Sequence, residues 1–397
     1  MILSTLRPLF AYYDTNCKDV LHPHTDSCVQ AFLDIVFTVS KQSLKLYLVL
    51  YLFLRLIQWK LSLKPYLIDV FRSSLFLVIN GPGLLLADCV FDKIFGVMYK
   101  FNSIFVPGLI AAASAFLVES RSRQRLLAPY IFSNCVDSVS SVFVSRNFLP
   151  SIPYLDVLLF MLASGKICGR LSTPVSHRGF NDTIFSLLTN PIDILRRNFF
   201  PFYQILSFYL HKFLPNSNIL KIPILLTGGC VWGLLIGLSY NIVTLIISKV
   251  SKLLSGSKEE RRSKRFNFHI PILLAAYIGL FQICKHILRN VTPLSDTISG
   301  LLAGSAISIY RFPSLSLYFF IKELLSLSKT LMHSGYLPRI PYFNFFLYFI
   351  SCAIQFHCVV FEPENVILSY RKFINTVSGG LVLQISNSLK EKECISY

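Results

Sequence analysis

The sequence predicts an all-α, polytopic helical membrane protein with about 10–11 transmembrane helices. Of its 397 residues, 53% are hydrophobic and 15% are charged, and the mean hydropathy is +0.58. Soluble domains carry about a quarter charged residues, so this chain has too little polar surface to cover a soluble globule. Several stretches also reach the roughly 20 apolar residues that one crossing requires. The clearest are Ile222–Ser248, Ile270–Leu288 and Tyr342–Phe361.

A duplicated motif organises the predicted helices. LPSIPYLDVLLF (149–160) and LPRIPYFNFFLY (337–348) are identical at half of their positions, and PGLIAAASAFL (107–117) resembles SGLLAGSAISI (299–309). Self-similarity over a long period indicates an internal repeat. We therefore predict two tandem four-helix repeats, with helices A to D, each preceded by an extra helix.

The apolar runs set the bounds of these helices. In the first repeat, the extra helix and helices A to D are predicted at Leu44–Trp59, Leu67–Phe95, Ser103–Val118, Leu126–Phe143 and Ile152–Ile167. In the second repeat, they are predicted at Ile222–Ser248, Ile270–Leu288, Asp296–Tyr310, Pro313–Met332 and Ile340–Phe361. Prolines end helix C and start helix D, because proline fixes its own φ and biases the preceding residue away from helix.

The repeats imply five regions. They are an N-terminal Cys/His-containing segment (1–42), the first membrane repeat (43–170), a connecting segment (171–221), the second membrane repeat (222–361) and a C-terminal tail (362–397). The connecting segment decides the topology. If residues 198–214 cross the membrane, the chain has about eleven spans and its two repeats are parallel, which is the topology we favour. If they do not, the chain has about ten spans and its repeats are inverted, as in many transporters.

The net charge of +18 lies in short segments beside apolar runs, such as Glu119–Arg125 and Ser257–Arg265. Such segments are typical of loops that set topology and contact anionic head groups. No RNA-recognition motif accompanies them, so no nucleic acid partner is expected. The ten cysteines are scattered without a CxxC pair, which argues against a disulfide framework and for a reducing compartment on at least one side.

The N-terminal stretch NCKDVLHPHTDSC contains a candidate metal site. Its residues Cys17, His22, His24 and Cys28 lie within about a dozen positions, and two thiolates with two imidazoles can form a tetrahedral zinc site. The spacing is not that of a standard zinc finger. A redox-active thiol pair and an ordinary polar lead-in to the first helix are the alternatives.

Both B helices carry a face of small residues. Gly108 and Ala112 in the first copy, and Gly300 and Gly304 in the second, follow the small-xxx-small pattern. Such faces allow helix backbones to approach closely in lipid, so these residues are predicted to pack helices together. A pore lining or a dimer contact is the alternative.

Polar residues inside the first A helix form a candidate intramembrane site. Ionisable residues in spans indicate function by default, and Asp88 follows the sequence NGPG (80–83). We predict that this sequence breaks the helix and that Asn80, Gly81 and Asp88 form a polar site. Asp69 and Arg72, three residues apart, are predicted to pair on one face.

No hydrolase elbow, P-loop, dinucleotide fingerprint or HExxH motif occurs in the sequence. These patterns are the usual signatures of catalysis and nucleotide binding. We therefore predict a protein that is not an enzyme and has no cofactor.

Three segments resemble the transmembrane protein 135 family, also called peroxisomal membrane protein 52. They are HPHTDSCVQAFLDIVFTVSKQSLKLYLVLYLF (22–53), SGLLAGSAISIYRFPSLSLYFF (299–320) and SYRKFI (369–374). Cys17, His22 and Cys28 resemble the cysteine-rich start of that family. The B helices show a weaker likeness to the Tim17/Tim22/Tim23 membrane family. The chain departs from the family in placing His24 after Pro23 and in having a short segment over 181–221.

The resemblance implies a multi-pass protein of mitochondrial and peroxisomal membranes. It implies a role in mitochondrial fission–fusion balance and in peroxisome and lipid homeostasis. Membrane lipids and a dynamin-like fission GTPase, or its recruitment machinery, are the implied partners. A lipid or metabolite transporter or channel built on the duplicated unit is the alternative function. A translocase-like insertion factor, suggested by the B helices alone, is the third.

Overall fold

Helices make up most of the chain, as expected where each backbone polar group must find its partner without water. In the computed structural model, 84% of the described residues are helical. The described residues are 12–13, 17–22, 25–57, 62–95, 98–171, 229–242, 244–245 and 267–395.

The helices are numbered here in chain order. They are α1 (Cys17–Val20), α2 (Cys28–Ile57), α3 (Leu63–Phe95), α4 (Lys100–Val118), α5 (Arg121–Ser145), α6 (Leu155–Leu171), α7 (Gly229–Ile242), α8 (His269–Leu288), α9 (Ser295–Gly304), α10 (Pro313–His333), α11 (Phe343–Phe361), α12 (Leu368–Val377) and α13 (Leu381–Ile395). Short 3-10 turns follow α9 at Ser305–Ile309 and α11 at Pro363–Asn365. Two short strands, β1 (Tyr12–Tyr13) and β2 (Met98–Tyr99), pair antiparallel.

The multi-pass helical fold class is confirmed. Among the described residues, five segments are long and apolar enough to cross a membrane: Cys28–Leu52, Leu63–Phe95, Arg121–Ser145, His269–Leu288 and Phe343–Phe361. This is fewer than the predicted 10–11 spans, partly because the apolar helices Ile104–Val118 and Gly229–Ile242 are shorter than a full crossing. The predicted crossing at 198–214 and the basic segment Lys258–Arg265 lie outside the described residues.

The chain divides into two compact units. Unit 1 comprises the described residues of 1–151 and 335–397, and unit 2 those of 152–334. Each unit therefore holds helices A, B and C of one predicted repeat and helix D of the other. The tandem duplication itself stays a prediction.

Unit 1 is organised by contacts of α3 and α11. Helix α3 packs against α2 and α4, and α11 packs against α4 and α5. The ring of Phe116 stacks on that of Tyr348 with centroids 4.5 Å apart, and a single apolar core extends from α2 to α13. Contacts between distant parts of the sequence thus form this core.

Unit 2 is organised by α6, which packs against α9 and α10, while α8 packs against α9. At its centre, the Ser164 hydroxyl donates a 2.7 Å hydrogen bond to the Gly300 carbonyl and lies 2.8 Å from the Tyr277 hydroxyl. Near the start of α6, Asp156 accepts a hydrogen bond from Arg311 Nε at 2.9 Å. These polar contacts fix how α6 packs on its neighbours.

The small-residue faces lie at close contacts between helices. A Cβ added at Gly300 would lie 2.6 Å from the Cβ of Cys168, and one added at Gly304 would lie 2.7 Å from the Cα of Met161. In unit 1, a Cβ at Gly108 would lie 3.3 Å from a Cα of α11, and Ala112 is fully buried. Both faces therefore pack against a helix D.

The two proline turns share a backbone conformation. Asn147 and Gly335 have φ of 59° and 81°, and Tyr154 and Tyr342 have φ of 60° and 56°. A bulky side chain at positive φ is strained. In the first turn, the guanidinium carbon of Arg311 lies 5.0 Å from the centre of the Tyr154 ring, a stabilising cation–π distance.

The interpretation of the basic segment 121–125 as a loop was wrong. This segment forms the first turn of α5. The side-chain amide of Gln124 in that turn donates hydrogen bonds to the carbonyls of Phe116 and Glu119 at 2.7 and 3.0 Å. One carbonyl in the last turn of α4 and one just after it are thereby satisfied, and only two residues connect α4 to α5.

The charged pairing predicted in α3 was also wrong. Asp69 binds Arg55 of α2, with 2.9 Å between Oδ2 and Nη2, whereas Arg72 is exposed. Helices α2 and α3 pack side by side. Arg55 of α2 therefore reaches Asp69 in preference to Arg72, which lies on the same helix as Asp69.

One added methyl group at Gly300 should destabilise the protein, whereas the same change at Gly83 should not. The nearest atom to a Cβ at Gly83 is the Ala111 Cβ, at 3.7 Å. Gly300→Ala is expected to cost about 1–3 kcal/mol through overpacking. Gly83→Ala should instead stabilise its helix by up to about 1 kcal/mol. Thermal unfolding of detergent-purified protein measures both, and equal midpoints would contradict this packing.

Candidate metal centre and adjoining polar cavity

Three cysteines and one histidine of unit 1 converge near the start of α2. Cys17 begins α1, His22 follows α1, Cys28 begins α2, and Cys89 lies near the end of α3. One sulfur or ring nitrogen from each of these residues lies within 4.8 Å of all the others. This arrangement brings four metal-binding atoms from separate elements to one point.

The thiols of this cluster are free. Cys17 and Cys89 are buried, and Cys28 is half-buried. The sulfurs of Cys17 and Cys28 are 3.7 Å apart. The backbone N–H of Cys17 donates a 3.1 Å hydrogen bond to Asp92 Oδ2. Burial first, and then a hydrogen bond between the Cys17 side chain and Asp92, raise the pKa of the Cys17 thiol.

His22 is completely buried. Its Nδ1 lies 3.0 Å from the backbone carbonyl of Thr25. A carbonyl only accepts hydrogen bonds, so Nδ1 carries the proton and Nε2 carries the lone pair. Within the described part of the chain, Nε2 has no hydrogen-bond partner. The imidazole is thus prepared to donate a lone pair into the cluster.

A narrow, mostly apolar cavity of about 90 Å³ adjoins this cluster. Leu21, between Cys17 and His22, lines it, and so does Asp88, next to Cys89. Asn80, Gly81 and Asp88, the residues predicted as a polar site, all lie in its wall. Apolar side chains of α2, α3, α11, α12 and α13 supply most of the remainder.

The polar atoms in this wall are only partly satisfied. The side-chain amide of Asn80 donates to the Tyr348 hydroxyl at 3.1 Å. By contrast, Asn80 Oδ1 and Asp88 Oδ2 are buried and have no hydrogen-bond partner among the described residues. Leaving such a group unpaired costs about 1–3 kcal/mol. A polar group that is buried in an apolar cavity without a hydrogen-bond partner is typical of a functional position.

The region that carries both features matches a known family. Residues 14–143 match the family model described as the N-terminal cysteine-rich region of transmembrane protein 135. Over these residues, the chain is similar to the transmembrane protein 135 family. The weaker likeness to Tim17/Tim22/Tim23 proteins stays a prediction. No solved structure matches the chain.

The segment that matches this family model, residues 14–143, contains all four cluster residues. The structure brings together three of the four residues predicted to hold metal: Cys17, His22 and Cys28. The fourth, His24, lies outside the described residues. Cys89 completes the cluster instead, and the sequence analysis missed it because no local spacing connects it to the others. The hairpin of α2 and α3, two helices of similar length, could have indicated that the end of α3 returns to the start of α2.

The prediction that NGPG breaks the first A helix was wrong. Helix α3 continues from Leu63 to Phe95 with Pro82 inside it. Pro82 is buried, and the contacts of α3 with α2 and α4 hold this stretch helical. A proline inside a helix is tolerated in membranes when neighbouring elements compensate for the lost hydrogen bond.

Helices α12 and α13 are an unpredicted part of this site. The sequence analysis treated residues 362–397 as a tail. Phe373, Ile374 and Val377 of α12 and Leu381 and Ile385 of α13 line the cavity. Their apolar residues recur at helical spacing, which is the signal that could have identified two helices packed on a core.

Replacing the Asp88 carboxyl with an apolar group should stabilise the protein. Asp88→Leu removes a buried carboxylate oxygen that has no partner among the described residues, so we expect a gain of about 1–3 kcal/mol. Asp156→Leu is the matched control, because it deprives Arg311 of its ion pair and should lower stability. Thermal unfolding in detergent compares them. A fall in stability for Asp88→Leu would show that its carboxyl has a stabilising partner.

Proposed function

We propose that this chain belongs to the transmembrane protein 135 family and regulates mitochondrial fission–fusion balance and peroxisome and lipid homeostasis. In this proposal, it resides in mitochondrial and peroxisomal membranes and acts through partners, without catalysis. The observation that carries the proposal is the match of residues 14–143 to the family's cysteine-rich region. The helices that are long and apolar enough to cross a membrane are consistent with residence in an organelle membrane.

A basic groove on unit 1 offers a surface for such a partner. It has a volume of about 870 Å³ and lies among the end of α4, the start of α5 and the start of α11. Arg121 and Arg125 line it and are exposed. Phe345 and Phe346 also line it. Arginine beside aromatic side chains is the composition favoured at the centres of protein interfaces.

Neutralising the groove should impair fission without unfolding the protein. Cells lacking the protein should have elongated mitochondria, and the wild-type chain should shorten them again. Arg121→Gln with Arg125→Gln should fail to do so, because the partner, a dynamin-like GTPase or its recruitment machinery, loses its charged contacts. Mitochondrial length and organelle-bound GTPase are measured together by fluorescence microscopy.

Arg289→Gln with Arg339→Gln is the matched control for this experiment. It removes the same charge from exposed positions of the chain outside the groove. Equal rescue of mitochondrial length by both double variants, at equal protein levels, would show that the groove is not the partner-binding surface. Unchanged mitochondrial length after deletion of the gene would contradict the regulatory function itself.

A lipid or metabolite transporter or channel is the second candidate function. The cavity beside α3 favours it, because apolar walls with two incompletely paired polar groups are typical of a site for a small molecule with an apolar body and a polar end. Among the described residues that line this cavity, Asp88, 2% exposed, is the only acidic one. Its carboxyl is therefore the group placed to contact the polar end.

Transport can be tested in proteoliposomes with a fluorescent phospholipid and a radiolabelled fatty acid as probes. Asp88→Asn should slow movement of the transported probe, because the amide removes the ionisable carboxyl group at nearly constant size. Asp34→Asn, at an exposed position of α2, is the control and should transport normally. Normal transport by Asp88→Asn would exclude this carboxyl from the pathway, and movement of neither probe by the wild-type protein would count against a lipid transporter.

A further inference from the structure

We propose that Cys17, His22, Cys28 and Cys89 together bind one Zn²⁺ ion, which holds the N-terminal segment against α2 and α3. This site differs from the one that the spacing of the N-terminal segment predicts, because its fourth ligand comes from α3 instead of from His24. The proposal is independent of the fission and transport functions.

The distances fit a tetrahedral zinc ion. With zinc–sulfur bonds of about 2.3 Å, two sulfurs at corners of a tetrahedron lie about 3.8 Å apart. The Cys17 and Cys28 sulfurs are 3.7 Å apart. The remaining ligand atoms lie within 4.8 Å of one another, so small side-chain rotations bring all four to bonding distance.

The imidazole of His22 has the orientation of a metal ligand. Its Nδ1–H donates to the Thr25 carbonyl at 3.0 Å, which is the contact that usually fixes the tautomer of a zinc-bound histidine. Its Nε2 is buried without a hydrogen-bond partner among the described residues. Binding zinc would satisfy this atom, which otherwise stays a buried acceptor without a hydrogen bond.

The donor set selects the metal. Thiolates and imidazole are the ligands of structural zinc sites, whereas Mg²⁺ and Ca²⁺ prefer oxygen ligands. Zinc binding would release three thiol protons to solvent and leave a site with a net charge of −1. Cys28 begins α2, where the positive end of the helix dipole favours a negative sulfur. Four protein ligands leave no open position for substrate, which indicates a structural site.

The site would join parts of the chain that are distant in sequence. Cys17 and His22 flank Leu21, whose side chain lines the cavity, and Cys89 follows Asp88 on the cavity wall. An ion bound here would therefore fix one end of the cavity as well as the N-terminal segment. This placement explains why three cysteines from three different helices, α1, α2 and α3, converge in a compartment where disulfides are not expected.

A disulfide between Cys17 and Cys28 is the main competing explanation. It would require the sulfurs to move from 3.7 Å to about 2.05 Å apart. It would also leave His22 Nε2 and the Cys89 thiol without a role. Zinc accounts for all four residues, and a disulfide accounts for two.

Metal analysis of the full chain purified in detergent tests the proposal. We expect one equivalent of zinc per chain, and replacement by Co²⁺ should give the thiolate-to-cobalt and tetrahedral d–d absorption bands. Cys89→Ser and His22→Gln should each lose most of the metal. His24→Gln and Cys284→Ser are the matched controls and should retain it. Zinc retained by Cys89→Ser, or lost only in His24→Gln, would overturn the assigned ligand set.

A measurement on the wild-type chain avoids variants that fail to fold. Alkylation with N-ethylmaleimide, followed by peptide mass spectrometry, reports each thiol separately. Zinc should protect Cys17, Cys28 and Cys89, and a zinc chelator should make all three at least several-fold more reactive without changing Cys284. A Cys17–Cys28 disulfide in the untreated protein, or reactivity of the three thiols unaffected by the chelator, would refute the zinc site.

Discussion

Close approach between small-residue helix faces is the constraint on which the rest of this structure depends. Lipid tails are as apolar as the helices, so the hydrophobic effect does not drive one helix onto another in a membrane. Helix association relies instead on complementary shape, dispersion contacts and a few hydrogen bonds. The faces of α4 and α9 meet this requirement through glycine and alanine. Each brings in a helix from a distant part of the sequence: α11 beside α4, and α6 beside α9. Bulkier residues would separate these helices and remove the contacts that define each unit.

Within unit 1, helix α3 connects this packing to the candidate sites. It contacts α2 and α4, and over ten residues it carries Asn80, Asp88 and Cys89. The first two line the cavity, and the third completes the Cys/His cluster. Burying these polar groups is costly, and a protein that needed only a stable bundle would gain by replacing them with leucine. Their location on one helix suggests that the cavity and the cluster operate as a single region.

Much of the fold could be predicted from local patterns. Composition and apolar run length identified a multi-pass helical protein, and the small-xxx-small pattern found Gly300 at a tight helix contact. Three of the four cluster residues are near neighbours in sequence, so their spacing was informative. Cys89 was not predictable in this way, because its position depends on how α2 and α3 pair over their whole length. The continuity of α3 through Pro82 likewise reflects tertiary packing, which overrides the preference of proline for helix ends.

The least predictable feature is the composition of the two units. Sequence similarity places helix D with the helices A to C that precede it, but in each unit the helix D comes from the other predicted repeat. Local sequence does not predict which unit each helix D joins, because both D helices have similar apolar faces. The exchange is visible only in long-range contacts, such as the stacking of Phe116 on Tyr348.

Disulfide crosslinking of α4 to α11 in isolated membranes tests this arrangement most directly. A Cβ at Gly108 would lie 3.5 Å from the Cβ of Ala353, which is within the range for a disulfide. Gly108→Cys with Ala353→Cys should therefore crosslink under mild oxidation, as detected by peptide mass spectrometry. Gly108→Cys with Ile350→Cys, on the exposed face of the same helix, should not. Failure of the first pair, or equal crosslinking of both, would contradict the account.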